Sequence, residues 1–180
     1  MTLRLLALPI LLALLCVGVP ALRADEGQQP EYRVKAAYLY NFAKFVDWPS
    51  SSFPSQASPF TVCVIGRNPF GNELDQLVGR SVRQRRLAVR HIGRVEEAGA
   101  CQILFVSGSE RGELTRILGA ARARGVLTVS DMGNFAASGG MIGLITREDR
   151  VHFNINLRAI RQAGLKISAQ VLKLATSVIE

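Results

Sequence analysis

The chain has 180 residues, 48% of them hydrophobic, and a formal net charge of +8. That is the length of one domain with enough apolar content to bury a core, and neither internal repeats nor low-complexity tracts interrupt it. The basic balance points to acidic partners or anionic lipid surfaces. Nucleic acid is disfavoured, because no stacking aromatics are interleaved with the arginines.

In chain order, the first feature is a targeting segment. Arg4 supplies a short positive region, Leu5–Val19 is a nearly unbroken apolar run, and small residues follow at Ala21 and Ala24. This order predicts a cleavable secretory signal peptide over residues 1–24 and a single domain over 25–180. A membrane anchor would need roughly 20 apolar residues. Leu15 before Cys16 is too bulky for a lipoprotein site, and the start carries no twin arginine. The cut falls after Ala21 or Ala24, and the chain is expected in the periplasm.

Export leaves Cys63 and Cys101. An even number of cysteines in an oxidising compartment predicts a disulfide between them. It would close a loop of about 39 residues, for which chain entropy gives about 4 kcal/mol at most.

Glu31–Val46 reads as a helix, with Val34, Tyr38, Phe42 and Phe45 at helical spacing, closed by Pro49. A Ser/Pro-rich loop over 50–59 leads to a first strand, Phe60–Ile65. Asn68 and Pro69 predict a helix start, with the helix running to about Val78. Gly79–Arg86 reads as a basic loop, Leu87–Ile92 as the second strand, Val95–Ala98 as a short turn or helix, and Ile103–Val106 as the third strand. Ser109, Glu110 and Glu113 predict a helix to Arg124 that ends at Gly125. Val126–Val129 and Met141–Ile145 are the fourth and fifth strands. A polar turn over 147–150 precedes Val151–Ile155, whose alternation predicts an antiparallel partner. Asn156 caps a helix to Ala163. Ser168 starts a last one with Val171, Leu172, Ala175 and Val178 on one side. The alternation implies an α/β fold: a single three-layer helix–sheet–helix domain, its sheet mostly parallel with a C-terminal antiparallel hairpin. If Cys63 and Cys101 pair, the first and third strands lie close.

The search for chemistry is less productive. Gly66–Gly71 stands where a phosphate loop would, but Asn72 and Glu73 replace the required Lys and Ser/Thr. His91 and His152 lack a second ligand at metal spacing. Ser107 and Ser109 flank a glycine after a strand but miss the nucleophile-elbow frame, so Ser109 reads as a helix cap. Asp131 ends the fourth strand, where ligands of open sheets bind, but it equally suits a turn. No acid/base pair, metal site or cofactor site emerges. Arg80, Arg83, Arg85, Arg86 and Arg90 form the densest charge cluster, read either as a docking face or as a solvated loop. Tyr38, Tyr40 and Trp48 either seal the core or present an interaction surface. A binding or regulatory role fits better than an enzyme.

Several blocks resemble a known family. Residues 34–49 (VKAAYLYNFAKFVDWP) closely resemble the opening of YfiR/HmsC-type periplasmic proteins. So do 62–66 with 68–71, 139–142, 150–156 and the closing 164–175. The resemblance implies a periplasmic, non-enzymatic regulator that binds the periplasmic sensing region of an inner-membrane diguanylate cyclase and represses it, lowering cyclic di-GMP and biofilm formation. It also implies relief by an OmpA-like outer-membrane lipoprotein, and is compatible with a homodimer. Cys63 and Cys101 match a family cysteine pair. A second pair nearer the C-terminus of some members has no counterpart here. Two rival readings stay open. One is a periplasmic small-molecule binder, with a pocket near Asp131 or Gly66, feeding another membrane signalling protein such as a histidine kinase. The other is an exported hydrolase, for which no nucleophile and base were found.

Overall fold

The computed structural model describes residues 28–180; the expected signal peptide at 1–24 lies outside them. The first element, α1 (Gln28–Phe45), has Glu31 in its first turn and Lys44 in its last, both favourable to the helix dipole. Its buried stripe is Ala36, Leu39, Phe42 and Ala43. That stripe is rotated from the expected one: Ala36, Leu39 and Ala43 join Phe42 in the core, and Val34 and Phe45 are exposed.

The strands are β1 (Val46–Asp47), β2 (Phe60–Ile65), β3 (Ser81–Val82), β4 (Arg85–Ile92), β5 (Ile103–Val106), β6 (Leu127–Ser130), β7 (Ile142–Arg147), β8 (Arg150–Asn156), β9 (Lys166–Ile167) and β10 (Ser177–Ile179). The remaining helices are α2 (Leu114–Ala123), α3 (Leu157–Gln162) and α4 (Ala169–Leu174). Eight strands form one sheet in the order β10-β8-β7-β6-β5-β2-β4-β3, and β1 pairs with β9 in a two-stranded ribbon. The centre of the large sheet is parallel from β4 to β7. β7 and β8 form the antiparallel hairpin, while β10 joins β8 in parallel.

Alternate residues of β2 enter two cores. Phe60, Val62 and Val64 face α1, while Cys63 and Ile65 face α2 and the 3-10 segment Val95–Ala100. Both faces of the sheet are thus covered, but unequally, and in this the architecture meets the expected three layers only in part.

Four local expectations are corrected. The helix expected after Asn68 is a series of turns with one 3-10 segment, Asp75–Leu77. Asn68 Oδ1 accepts the Phe70 N–H and Asn68 Nδ2 donates to Gly71 O; this Asx turn competes with helix, and Gly71 has φ +56°. The basic loop over 79–86 is a tight hairpin between β3 and β4, turned by Arg83 and Gln84 with φ of 47° and 68°. Ser107, not Ser109, caps the helical segment after β5. The last helix stops at Leu174, and Thr176 N–H bonds Phe153 O as the chain extends into β10.

Cys63 and Cys101 are joined, with Cα atoms 5.8 Å apart. The bridge ties the start of β5, after the β4–β5 crossover, to β2; β2 and β5 are adjacent.

Candidate functional site

Three features compete as the functional surface. The first lies at the carboxyl ends of β6 and β7, where the sequence offered only Asp131. Here Lys35, 3% exposed, reaches from α1. Its Nζ lies 2.6 Å from Asp131 Oδ2 and 2.5 Å from Glu31 Oε1. Tyr32 donates to Asp131 Oδ2 at 2.7 Å, and Thr146 donates to Glu31 Oε1 at 2.7 Å. Burial and the hydrogen bond to Asp131 push the Tyr32 phenol well above its usual range. Burial also raises the Glu31 carboxyl, but hydrogen bonds from Lys35 and Thr146, with the Lys35 charge, hold it below the usual carboxylate range. The cluster therefore contains a neutral phenol and an ammonium shared by two carboxylates. Such an arrangement fixes the first turns of α1 against the sheet. Lys35, Glu31 and Tyr32 were missed from sequence. The available signals were the i,i+4 spacing of Glu31 and Lys35 and a lysine flanking the apolar stripe.

Beside this cluster run two grooves that share Tyr38. One, of about 650 Å³, lies between α1 and the β7–β8 hairpin, with Val34, Arg150 and His152 on its walls. The other, of about 460 Å³, is apolar and lined by Phe42, Phe45, Phe153, Val171 and Leu174. Leu174 is 73% exposed. Tyr38 stacks on Phe42, meets Phe153 edge-on and donates to Val151 O at 3.0 Å. Tyr40 points elsewhere: it donates to Ser81 O and carries Lys44 and Arg80 against its ring. Trp48 packs edge-on against Phe60 and donates to Gln102 O, which places it in the core seal.

The third feature is the arginine cluster, which the structure divides. Arg83 grips Lys44 O and pairs with Asp47 at 2.6 Å. Arg85 donates to the carbonyls of Ser55, Gln56 and Ser58 and lies 3.8 Å from the Phe53 ring centroid. Arg86 donates to Gly79 O. Arg86 and Arg90 are exposed and occupy the face opposite Arg85, because side chains alternate along β4.

The turn at Gly66 carries no phosphate site. Ser109 Oγ accepts the Arg67 N–H at 3.0 Å and donates to Glu110 Oε1, and a Cβ on Gly66 would collide with both side chains. A carboxylate thus occupies the position a phosphate would need. His91 and His152 are both exposed, and among the described residues no cluster of His, Cys, Asp and Glu is arranged to hold a metal. Among those residues, too, no helix is long and apolar enough to cross a membrane.

Two solved structures resemble this fold. A conserved domain protein from Vibrio cholerae O1 biovar eltor superposes with a TM-score of 0.51 at 12% identity, over 82% of this chain and 60% of that one. An ABC domain in complex with L-Trp from Streptococcus pneumonia gives 0.47 at 10% identity, over 67% and 55%. The chain thus spans little more than half the length of either, and the likeness to the Vibrio protein concerns the fold alone. The sequence itself is more specific. A family model described as YfiR/HmsC-like matches residues 32–176, from Tyr32 in the α1 cluster to Thr176 at the start of β10, and the chain belongs to that family.

Proposed function

We propose that this protein is a periplasmic regulator, without catalysis of its own, that binds the periplasmic region of an inner-membrane diguanylate cyclase and holds it in its inactive state. Membership of the YfiR/HmsC-like family over residues 32–176 carries this reading. In it, residues 1–24 are removed on export, residues 25–180 form the working domain, and an OmpA-like outer-membrane lipoprotein competes for the regulator. Arg80, Arg86 and Arg90, at the β3–β4 end of the sheet, belong to the docking surface; Tyr38 lines the grooves near β8, toward the other end.

Regulation of this kind is linkage. The protein can shift the cyclase only by binding the inactive state more tightly than the active one, and a nearly complete switch needs roughly 10⁴-fold preference. The reading is tested by deleting the gene and measuring cellular cyclic di-GMP and surface attachment, both of which should rise. An unchanged level would remove the cyclase as partner.

The apolar groove of about 460 Å³ beside Phe45 and Leu174 favours a second reading, a small-molecule sensor that feeds another membrane signalling protein such as a histidine kinase. Pull-down from membranes with and without the neighbouring cyclase separates the two.

A further inference from the structure

Among the described residues, one edge of the large sheet has no flanking strand over part of its length. β3 pairs with β4 only at Arg85 and Arg86. Beyond them, Leu87 N–H donates to Arg80 O and Leu87 O accepts from Gly79 N–H, both at 2.9 Å. β3 is the last strand in the order, so among the described residues no strand flanks Ala88–Ile92 on the outside. Backbone groups of successive strand residues point to opposite edges. Leu87 directs its pair outward, so Val89 and His91 do the same, while Ala88, Arg90 and Ile92 bond inward to β2.

The side chains around this edge are cationic. Arg86 and Arg90 stand two strand steps apart on one face, either side of Ala88, and both are exposed, as is Arg94 just beyond the strand. The carboxylates beyond the strand end are paired: Glu97 with Arg94 and Glu96 with Arg116. Asp75 lies in the 3-10 segment that packs beside β4.

We infer that the outer edge of β4 accepts an additional strand from a partner, and that this strand is an extended segment bearing acidic side chains. The outward N–H and C=O groups of Val89 and His91 supply the ladder, as in other strand-addition complexes. Arg86 and Arg90 supply the charge selection, since opposite charges on neighbouring strands attract and like charges repel. The same arginines argue against a second copy of this chain, because pairing two β4 edges would set guanidinium against guanidinium; charged edges are a common protection against self-association. The inference deepens the docking reading of the arginine cluster and rests on it for the partner's identity.

The test is residue-resolved amide hydrogen exchange on the exported chain. In the free protein, Val89 and His91 should exchange at least about tenfold faster than Ala88 and Arg90, whose N–H groups are in the ladder. A synthetic peptide of alternating Glu and Val should slow Val89 and His91 by about tenfold or more at saturation, and the Lys/Val analogue should not. His91→Pro removes one outward N–H at a position where an edge strand tolerates proline, and should abolish the protection while leaving the melting curve intact. Unchanged exchange at Val89 and His91 with the Glu peptide, or equal peptide binding by His91→Pro, would overturn strand addition. Protection by the peptide but not by the cyclase's periplasmic region would support the edge and count against the cyclase.

Discussion

The two faces of the sheet are built differently. On one, α1 lies across the strands as a single 18-residue helix and seats an aromatic group in which Phe42 meets Phe153 at 5.4 Å and Tyr38 at 5.9 Å. Lys35 adds a buried polar anchor at its near end. On the other, the cover is the ten-residue α2, the 3-10 segment Val95–Ala100 and Phe135 from the loop after β6. Short 3-10 segments have poor hydrogen-bond geometry and bury little each. The disulfide lies on this thinner face. Disulfides are frequent in small exported domains whose cores are limited, and here the covalent tie lies under the thinner of the two covers.

Breaking that tie gives the largest expected effect. Replacing Cys63 and Cys101 together by Ala releases a cross-link between residues 38 apart and should cost up to about 4 kcal/mol. The melting temperature should fall by roughly 10 °C. Hydrogen exchange should locate the loosening in α2 and Val95–Ala100, with α1 amides least affected. Equal loosening of α1 would show that the two faces unfold as one unit and that their difference is only geometric.

Much of this layout was legible in the sequence. Phe60–Ile65 and Ile103–Val106 are continuous apolar runs, as strands buried on both faces must be, and both were located within their observed bounds. Asn156 and Ser168 announced their helices, because a cap is a local interaction between a side chain and the next turn. The failures have physical causes. The Arg83–Gln84 turn carries left-handed backbone without the Asn-Gly or Asp-Gly signature, so β3 and the start of β4 read as a charged loop. The Asn68 Asx turn imitates a helix cap until Gly71 diverts the chain. β10 is short and held by partners distant in sequence, so nothing local marks it. The site was harder still. Asp131 was visible as a strand-end carboxylate, but its partners Lys35 and Tyr32 stand 96 and 99 positions away. Such a cluster follows from topology and has no motif.

Removing the polar anchor of the thicker face should have the next largest effect. Lys35→Ala leaves Glu31 and Asp131 without their shared cation, and breaking a buried pair this way costs about 3 kcal/mol at the low end of the range. The pH dependence gives a sharper signature. A carboxyl whose folded pKa is lowered stabilises the fold above its unfolded pKa, and that contribution is lost as pH falls through the folded value. Glu31 is such a group, and Lys35 is among the main causes. The gap in urea midpoint between wild type and Lys35→Ala should therefore be widest near neutrality and narrow as pH drops below the usual glutamate range. Tyr32 acts at the other limit: burial, with the bond to Asp131, disfavours its phenolate. The fold is thus unaffected by its titration below about pH 10 and loses stability progressively as pH rises from there toward the raised folded value. A gap independent of pH on the acid side would mean that Lys35 acts by packing its methylenes, not by its charge.

The smallest effect separates the two faces within one strand. Arg85 and Arg90 both lie on β4, five residues apart, and on composition alone they are interchangeable members of one basic cluster. Arg85 faces the α1 side, where one of its nitrogens donates to three carbonyls at 2.7–3.0 Å and its guanidinium lies over Phe53. Those bonds hold the loop over 50–59 against the sheet, so Arg85→Ala should cost about 1–2 kcal/mol in urea unfolding. Arg90 faces the disulfide side, exposed and opposite Cys63 in register, and Arg90→Ala should stay within about 0.5 kcal/mol of wild type. The order should reverse for docking. Loss of Arg90 should slow association with an acidic partner and flatten its salt dependence, whereas loss of Arg85 should leave association unchanged in conditions where the fold is intact. Equal stability costs would place Arg90 among the structural arginines and leave Arg86 as the charge on the open edge.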